Sequence, residues 1–192
     1  MHFTLADLIT DITQNGAESG GEVVELFIEE IVEKSGKGEF RFTVKDNGKG
    51  MSEDELKRAQ DPFVTDGIKH PHRKVGLGLP FLIQTAESSG GGWKMDSKKG
   101  KGTEVTAWFD LGNVDTPPLG DISGMFRTIL LFGGPAEVVI HRVREADGER
   151  MDYEVRKTEL INALGNLEDT QSLILLDQYL RSLEQDSEEG EE

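Results

Sequence analysis

Five short runs hold the residue types with chemistry in them, and they occur in a fixed order. They are Asp11-x-x-x-Asn15, Asp46-x-Gly48-x-Gly50, Asp61-Pro62-Phe63, Gly76-x-Gly78-Leu79 and Gly100-Lys101-Gly102-Thr103. Each alone has a bland reading: a glycine pair after a strand makes a turn, and Asn-Gly near a helix end serves as a cap. Together, in this order, they point to a nucleotide site. Glycines just ahead of a helix let backbone N–H groups and the positive helix end approach phosphate. Lys69, Arg73 and Lys74, the densest basic cluster, lie immediately upstream of Gly76. His70 and His72 share that stretch, but nothing in the sequence assigns them a phosphoacceptor role.

The elements that must position these runs follow from periodicity. Leu5, Leu8, Ile9 and Ile12 recur at helical spacing, and Asp7, Asp11, Asn15 and Glu18 form an adjacent stripe on the same helix. Gly20-Gly21 ends it. Residues 22–33 and 40–44 read as strands around a Ser35-Gly36-Lys37-Gly38 turn. Ser52 and Glu55 make a capping box for a short helix through Ala59. Residues 60–75 hold two prolines, a glycine and five potentially cationic side chains without periodicity, which reads as a long loop. Pro80 suits the first turn of a helix over residues 81–88, and residues 93–96 and 103–111 read as strands. Asp115-Thr116-Pro117-Pro118-Leu119-Gly120 is the best linker candidate, within a linker assigned to residues 113–120. Beyond it, residues 127–132 and 137–144 read as strands. Asp147-Gly148 turns a hairpin back through 152–156, and helices follow near 157–164 and 172–183. This gives an expected nucleotide domain over residues 1–112, a small α+β module over 121–183 for partner contact or sheet completion, and a disordered acidic tail over 184–192.

Composition narrows the function classes. A net charge of −16 repels nucleic-acid phosphates, so duplex binding is not expected. No apolar run reaches the ~18 residues of a membrane span, and Met1–Asp7 has neither a basic segment nor a cleavage site. Cysteine is absent, which excludes disulfides, thiolate metal sites and cysteine nucleophiles. A cytoplasmic location is the matching expectation.

On these runs, residues 3–111 resemble the GHKL superfamily of ATP-binding domains (gyrase B, histidine kinases, MutL). Asp11–Ser19 is similar to its asparagine box, Asp46–Met51 to its first glycine box, Asp61–Thr65 to its phenylalanine box and Lys74–Pro80 to its second glycine box. The resemblance implies a two-layer α+β sandwich of Bergerat type, with ATP and Mg²⁺ as ligands. It implies that Asn15 ligates the Mg²⁺ on the phosphates and that Asp46 accepts a hydrogen bond from the adenine amino group. It also has Gly48, Gly50 and Met51 beside the base with Thr103 completing the adenine contacts. Gly76, Leu77, Gly78 and Leu79 then meet the phosphates under a lid carrying Lys69, Arg73 and Lys74. More narrowly, the Pro-Phe-Val-Thr to Arg-Lys-Val-Gly-Leu-Gly-Leu-Pro run resembles small stand-alone ATP-binding proteins of anaerobic bacteria. That implies a redox or hydrogenase-associated protein partner.

Asp11 decides the reaction type. Hydrolytic members carry a glutamate there as general base, and Asp11 keeps the carboxylate with a shorter reach. Glu18 stands where many kinases have lysine, and Val75 where many members have a glycine or small polar residue. The strand that normally precedes the first helix is missing, so a sheet edge needs cover from the C-terminal segment or from a second copy in a homodimer. Three functions are compatible with this reading: a slow regulatory or assembly ATPase, a kinase acting in trans on a partner's histidine or serine, and a nucleotide sensor without catalysis.

Overall fold

The structure is a computed structural model that describes residues 3–60 and 78–185. In chain order the elements are α1 (Leu5–Ala17), β1 (Val23–Val32), β2 (Gly38–Asp46), α2 (Glu53–Gln60), α3 (Gly78–Ser88), β3 (Gly92–Lys98), β4 (Gly102–Asp110), α4 (Ile122–Leu130), β5 (Glu137–Ala146), β6 (Glu149–Arg156), α5 (Lys157–Leu164) and α6 (Thr170–Gln185). The strands form one sheet in the order β3-β4-β2-β1-β5-β6. Its pairings are antiparallel except β1 with β5, which is parallel.

Strand alternation makes the layers. Val24, Leu26 and Ile28 of β1, Phe40, Phe42 and Val44 of β2, and Ala107 and Phe109 of β4 are buried and meet the apolar stripes of α1, α3, α4 and α6 in one core. The opposite face carries Phe27 and Ile31, both exposed, among charged residues. Burial of a leucine, isoleucine or phenylalanine of this kind stabilises by roughly 1.5–3 kcal/mol each. This is the two-layer α+β sandwich expected.

Helix α1 is fixed at both ends. Thr4 caps it in a reciprocal box with Asp7. The next two N–H groups, of Leu5 and Ala6, donate to the carbonyls of Pro118 and Leu119 at 2.9 Å each. The segment read as a linker thus satisfies the donors that a helix start leaves open.

The C-terminal residues add β5 beside β1, and their helices join the same core. One expectation fails. Residues 127–132, read as a strand, lie instead mostly in α4. The apolar content of that run resembles a strand, but Met125, Phe126, Ile129 and Leu130 share one helical face and are buried together. Asp121 caps this helix by accepting from the Gly124 N–H at 2.9 Å. The acidic tail also begins later than expected, because α6 takes in Glu184 and Gln185; residues 186–192 lie outside those described.

Glu184 is held in α6 by a buried polar cluster. Arg142 of β5, 1% exposed, pairs with Glu30 of β1 and lies 3.5 Å from Glu184. The Tyr153 hydroxyl donates to Glu184. Burial first, and then that hydrogen bond, hold the Tyr153 phenol well above its usual titration range. Removing Glu30 leaves the buried Arg142 with Glu184 as its remaining carboxylate. Glu30→Ala is therefore expected to lower stability by about 3 kcal/mol in urea unfolding, whereas Glu30→Leu with Arg142→Met and Glu184→Gln, which leaves no charge of the cluster unpaired, should recover most of it. A single variant as stable as the parent would contradict the assignment.

Candidate functional site

A cavity of ≈ 440 Å³ lies between α1, the β2–α2 turn and the face of β2, β4 and β3 beneath them. That is within the range of small-molecule sites. The helical period that buries Ile9 and Ile12 brings Asn15, Glu18 and Ser19 to its wall. On the sheet, Asp46 pairs with Thr103 and Val44 with Val105, and Met95 pairs with Val105 in turn. In-register partners share a face, so these strands supply an apolar floor with a carboxylate and a hydroxyl at one end.

Asp46 is buried, and its Oδ1 accepts the Gly48 N–H at 2.8 Å. Among the described residues nothing donates to its Oδ2. Thr103 Oγ1 lies 2.9 Å from Ser97 Oγ. Ser97 Oγ also accepts the Met51 N–H at 2.9 Å and lies 3.1 Å from the Gly102 carbonyl. Ser97 has one proton. Giving it to the Gly102 carbonyl leaves the oxygen to accept from both Met51 and Thr103, which fixes two cavity residues through one side chain. The Ser19 Oγ is buried without a hydrogen-bond partner among the described residues.

The turn after β2 touches both neighbours. The Lys49 N–H donates to the Ser19 carbonyl at 3.2 Å, and the Gly100 N–H donates to the Lys49 carbonyl at 2.6 Å. Gly50 has φ 57° and Gly102 φ 97°. A Cβ at Gly50 would overlap the Lys98 carbonyl oxygen, and one at Gly102 would overlap the Asp46 carbonyl oxygen. A Cβ at Gly48 would overlap Ser19. The glycines thus have a source inside the chain, in backbone approaching backbone, besides the room for a base that the sequence suggests.

Of the residues singled out in the sequence, Asn15, Asp46, Gly50, Met51, Leu79 and Thr103 line this cavity, and Gly48 is bonded to Asp46. Asp11 and Gly78 meet each other instead: a Cβ at Gly78 would sit 3.4 Å from the Asp11 Cβ, where α3 starts against α1. Lys69, Arg73, Lys74, Gly76, Leu77, the Asp61-Pro62-Phe63 run and His70 and His72 lie outside the described residues. Sequence reasoning passed over Lys49, Ser19, Ser97 and Met95 as site residues, though Lys49, Ser19 and Met95 line the cavity. Lys49 and Ser19 sat inside runs already noted. Ser97 and Met95 become visible only when the β3–β4 register is known.

A family model for the histidine kinase-, DNA gyrase B-, and HSP90-like ATPases matches residues 3–113. The chain belongs to this family. Among curated relatives it is 26% identical over 159 residues to the sensor histidine kinase AruS of Pseudomonas aeruginosa, covering 77% of this chain and 15% of that protein. It is 30% identical over 107 residues to the sensor histidine kinase ZraS of Salmonella typhimurium, covering 54% of this chain and 21% of the relative. Sporulation kinase E of Bacillus subtilis is 40% identical over 62 residues, 32% of this chain and 8% of the kinase. The chain thus spans less than a quarter of each relative's length. No helix among the described residues is long and apolar enough to cross a membrane.

The close approach at Gly102 can be separated from glycine's flexibility. Gly100 also has positive φ, 74°, but a Cβ there meets nothing within 4 Å. Gly100→Ala should cost about 1 kcal/mol of backbone strain, and Gly102→Ala at least about 2 kcal/mol more from the added overlap. Thermal unfolding of the two variants reads the difference; equal losses would remove the packing argument.

Proposed function

We propose that this ATPase-family chain binds ATP with Mg²⁺ in the α1 cavity and hydrolyses it slowly, as a nucleotide-dependent regulatory or assembly switch. The observation that carries the reading is Asp46: a buried carboxylate at the end of an apolar floor, with one oxygen held by Gly48 and no donor to the other among the described residues. An adenine amino group offers that donor, whereas guanine offers a carbonyl at the same place. Thr103, held by Ser97, is the second polar contact for the base. Asn15 lies on the helix above, where its amide oxygen is the kind of hard donor that Mg²⁺ takes alongside phosphate oxygens. Mg²⁺ supplies charge neutralisation to the phosphates, so few protein ligands are needed.

Gly78 and Leu79 at the start of α3 suit the phosphate side. Lys69, Arg73, Lys74, Gly76 and Leu77 complete the proposed phosphate contacts on the strength of the family resemblance. Asp11 is the candidate general base for water, one helical turn before Asn15. The C-terminal elements are proposed as the contact surface for a protein partner, for which the narrower resemblance suggests a redox or hydrogenase-associated subunit.

A second reading, phosphoryl transfer in trans to a partner's histidine or serine, is favoured by the relatives, two of which are sensor histidine kinases and one a sporulation kinase. Radiolabelled ATP separates the two. Phosphate release that Asp11→Ala abolishes while ATP affinity holds supports the hydrolytic switch, and label appearing on a co-purified protein supports the kinase. Asn15→Ala and Asp46→Ala should each weaken ATP binding about tenfold or more, in keeping with the loss of a charged or metal-ligating contact. Unaltered affinity in both would reject the nucleotide site itself.

A further inference from the structure

Glu18 lines the same cavity, three residues beyond Asn15 at the C-cap of α1. We infer that Glu18 makes this site a cation-gated one, selecting the Mg²⁺-bound nucleotide by repelling the bare polyphosphate; the inference rests on the nucleotide-binding reading above. Side chains three apart on a helix are neighbours, with Cβ atoms roughly 5–6 Å apart. A phosphate group whose cation contacts Asn15 therefore comes within reach of the Glu18 charge.

Three observations support this beyond the presence of an acid. The Gln14 side chain donates to Glu18 Oε1 at 2.9 Å, which holds the carboxylate on α1. Glu18 is the C-cap residue, and the last turn of α1 holds no basic residue. The negative end of the helix dipole thus adds to the carboxylate instead of opposing it. The cavity wall also contains the Asp46 carboxylate, while Lys49 is its cation among the described residues. A bare triphosphate within reach of the Glu18 carboxylate is repelled by it, and a bound divalent cation cancels about two of the triphosphate's charges. For charges ~6 Å apart in solvent-like dielectric, that cancellation changes affinity by roughly tenfold.

The test measures ATP dissociation constants by displacement of a fluorescent nucleotide, in EDTA and in saturating Mg²⁺, for the parent, Glu18→Gln and Glu18→Lys. Glutamine keeps an oxygen to accept from Gln14. Glu18→Gln is expected to bind ATP about tenfold tighter than the parent in EDTA and to change by less than about threefold in Mg²⁺. Glu18→Lys should go further in the same direction. Adenosine, which has no phosphate charge, should bind all three proteins alike. A Glu18→Gln effect equal in both conditions, or equal for adenosine, overturns the inference and makes Glu18 merely structural. A parent that binds ATP in Mg²⁺ while Glu18→Gln keeps the parent's Mg²⁺ dependence overturns this inference alone. A parent that binds in neither condition overturns the nucleotide reading along with it.

Discussion

The burial of one stripe of α1 against β1 and β2 is the constraint on which the rest of this structure depends. Leu5, Leu8, Ile9 and Ile12 face the sheet and are nearly inaccessible. With 3.6 residues per turn, that choice leaves no freedom in where the neighbouring stripe points. Asn15, Glu18 and Ser19 then face the cavity, and Gly16 brings the helix to within ordinary contact of Asp46 and Val44. One packing decision therefore sets the separation between the helix oxygen proposed for the cation and the sheet carboxylate proposed for the base. It also explains why α1 needs firm ends. A one-turn slip would carry Asn15 out of the wall, and the Thr4–Asp7 box with the Pro118 and Leu119 carbonyls opposes it.

The C-terminal segment supports the same helix from a distance in sequence. β5 extends the sheet beyond β1, and α4 packs its Met125, Phe126 and Ile129 into the core that α1 also fills. An uncovered β1 would present a row of unpaired backbone groups to other chains. The buried Arg142–Glu30 pair ties β5 to β1, and Glu184 brings the end of α6 into the cluster. Such a pair adds little net stability over apolar residues of the same size, but it penalises any arrangement that separates its members. It is therefore better suited to specifying the register of the last strands and the docking of α6 than to strengthening the fold.

What was legible in the sequence follows from how local each signal is. The α1 stripe, the β1 and β2 alternation, the Ser52–Glu55 box and the Asp147-Gly148 hairpin are set by residues within a few positions of one another, and each stands where its pattern puts it. Residues 127–132 misled because their apolar run was read in isolation, while the helical face that includes them starts upstream at Ile122 and Met125. The shared core was not legible, because Phe40 of β2 and Leu180 of α6 join one cluster across most of the chain. Within the site, Asn15, Asp46 and Thr103 stood out by type and spacing. Ser97 did not, since its role depends on pairing opposite Thr103 in the β3–β4 ladder. The reason for Gly50 and Gly102 was equally hidden: each is demanded by a carbonyl from a different strand end.

An acidic chain that binds a polyanion has to settle an electrostatic conflict locally. The formal charge of −16 is a sum over the whole chain, and salt screens exposed charges beyond about 10 Å. What a ligand meets is the cavity wall, with Asp46 at the end proposed for the base and Glu18 near Asn15 on α1. In the proposed binding mode a carboxylate aimed at an adenine amino group is an attraction and one aimed at phosphate a repulsion, so two like charges in one cavity would do opposite work. That division favours a neutral or cationic group at one end and a cation-shielded phosphate at the other. Asp11 falls outside this pair, one turn earlier and against Gly78 at the start of α3. Its carboxylate therefore has its surroundings defined by where α3 begins as much as by α1. A carboxylate at the junction of two helices is sensitive to small shifts between them, which suits the switchable hydrolysis proposed for it.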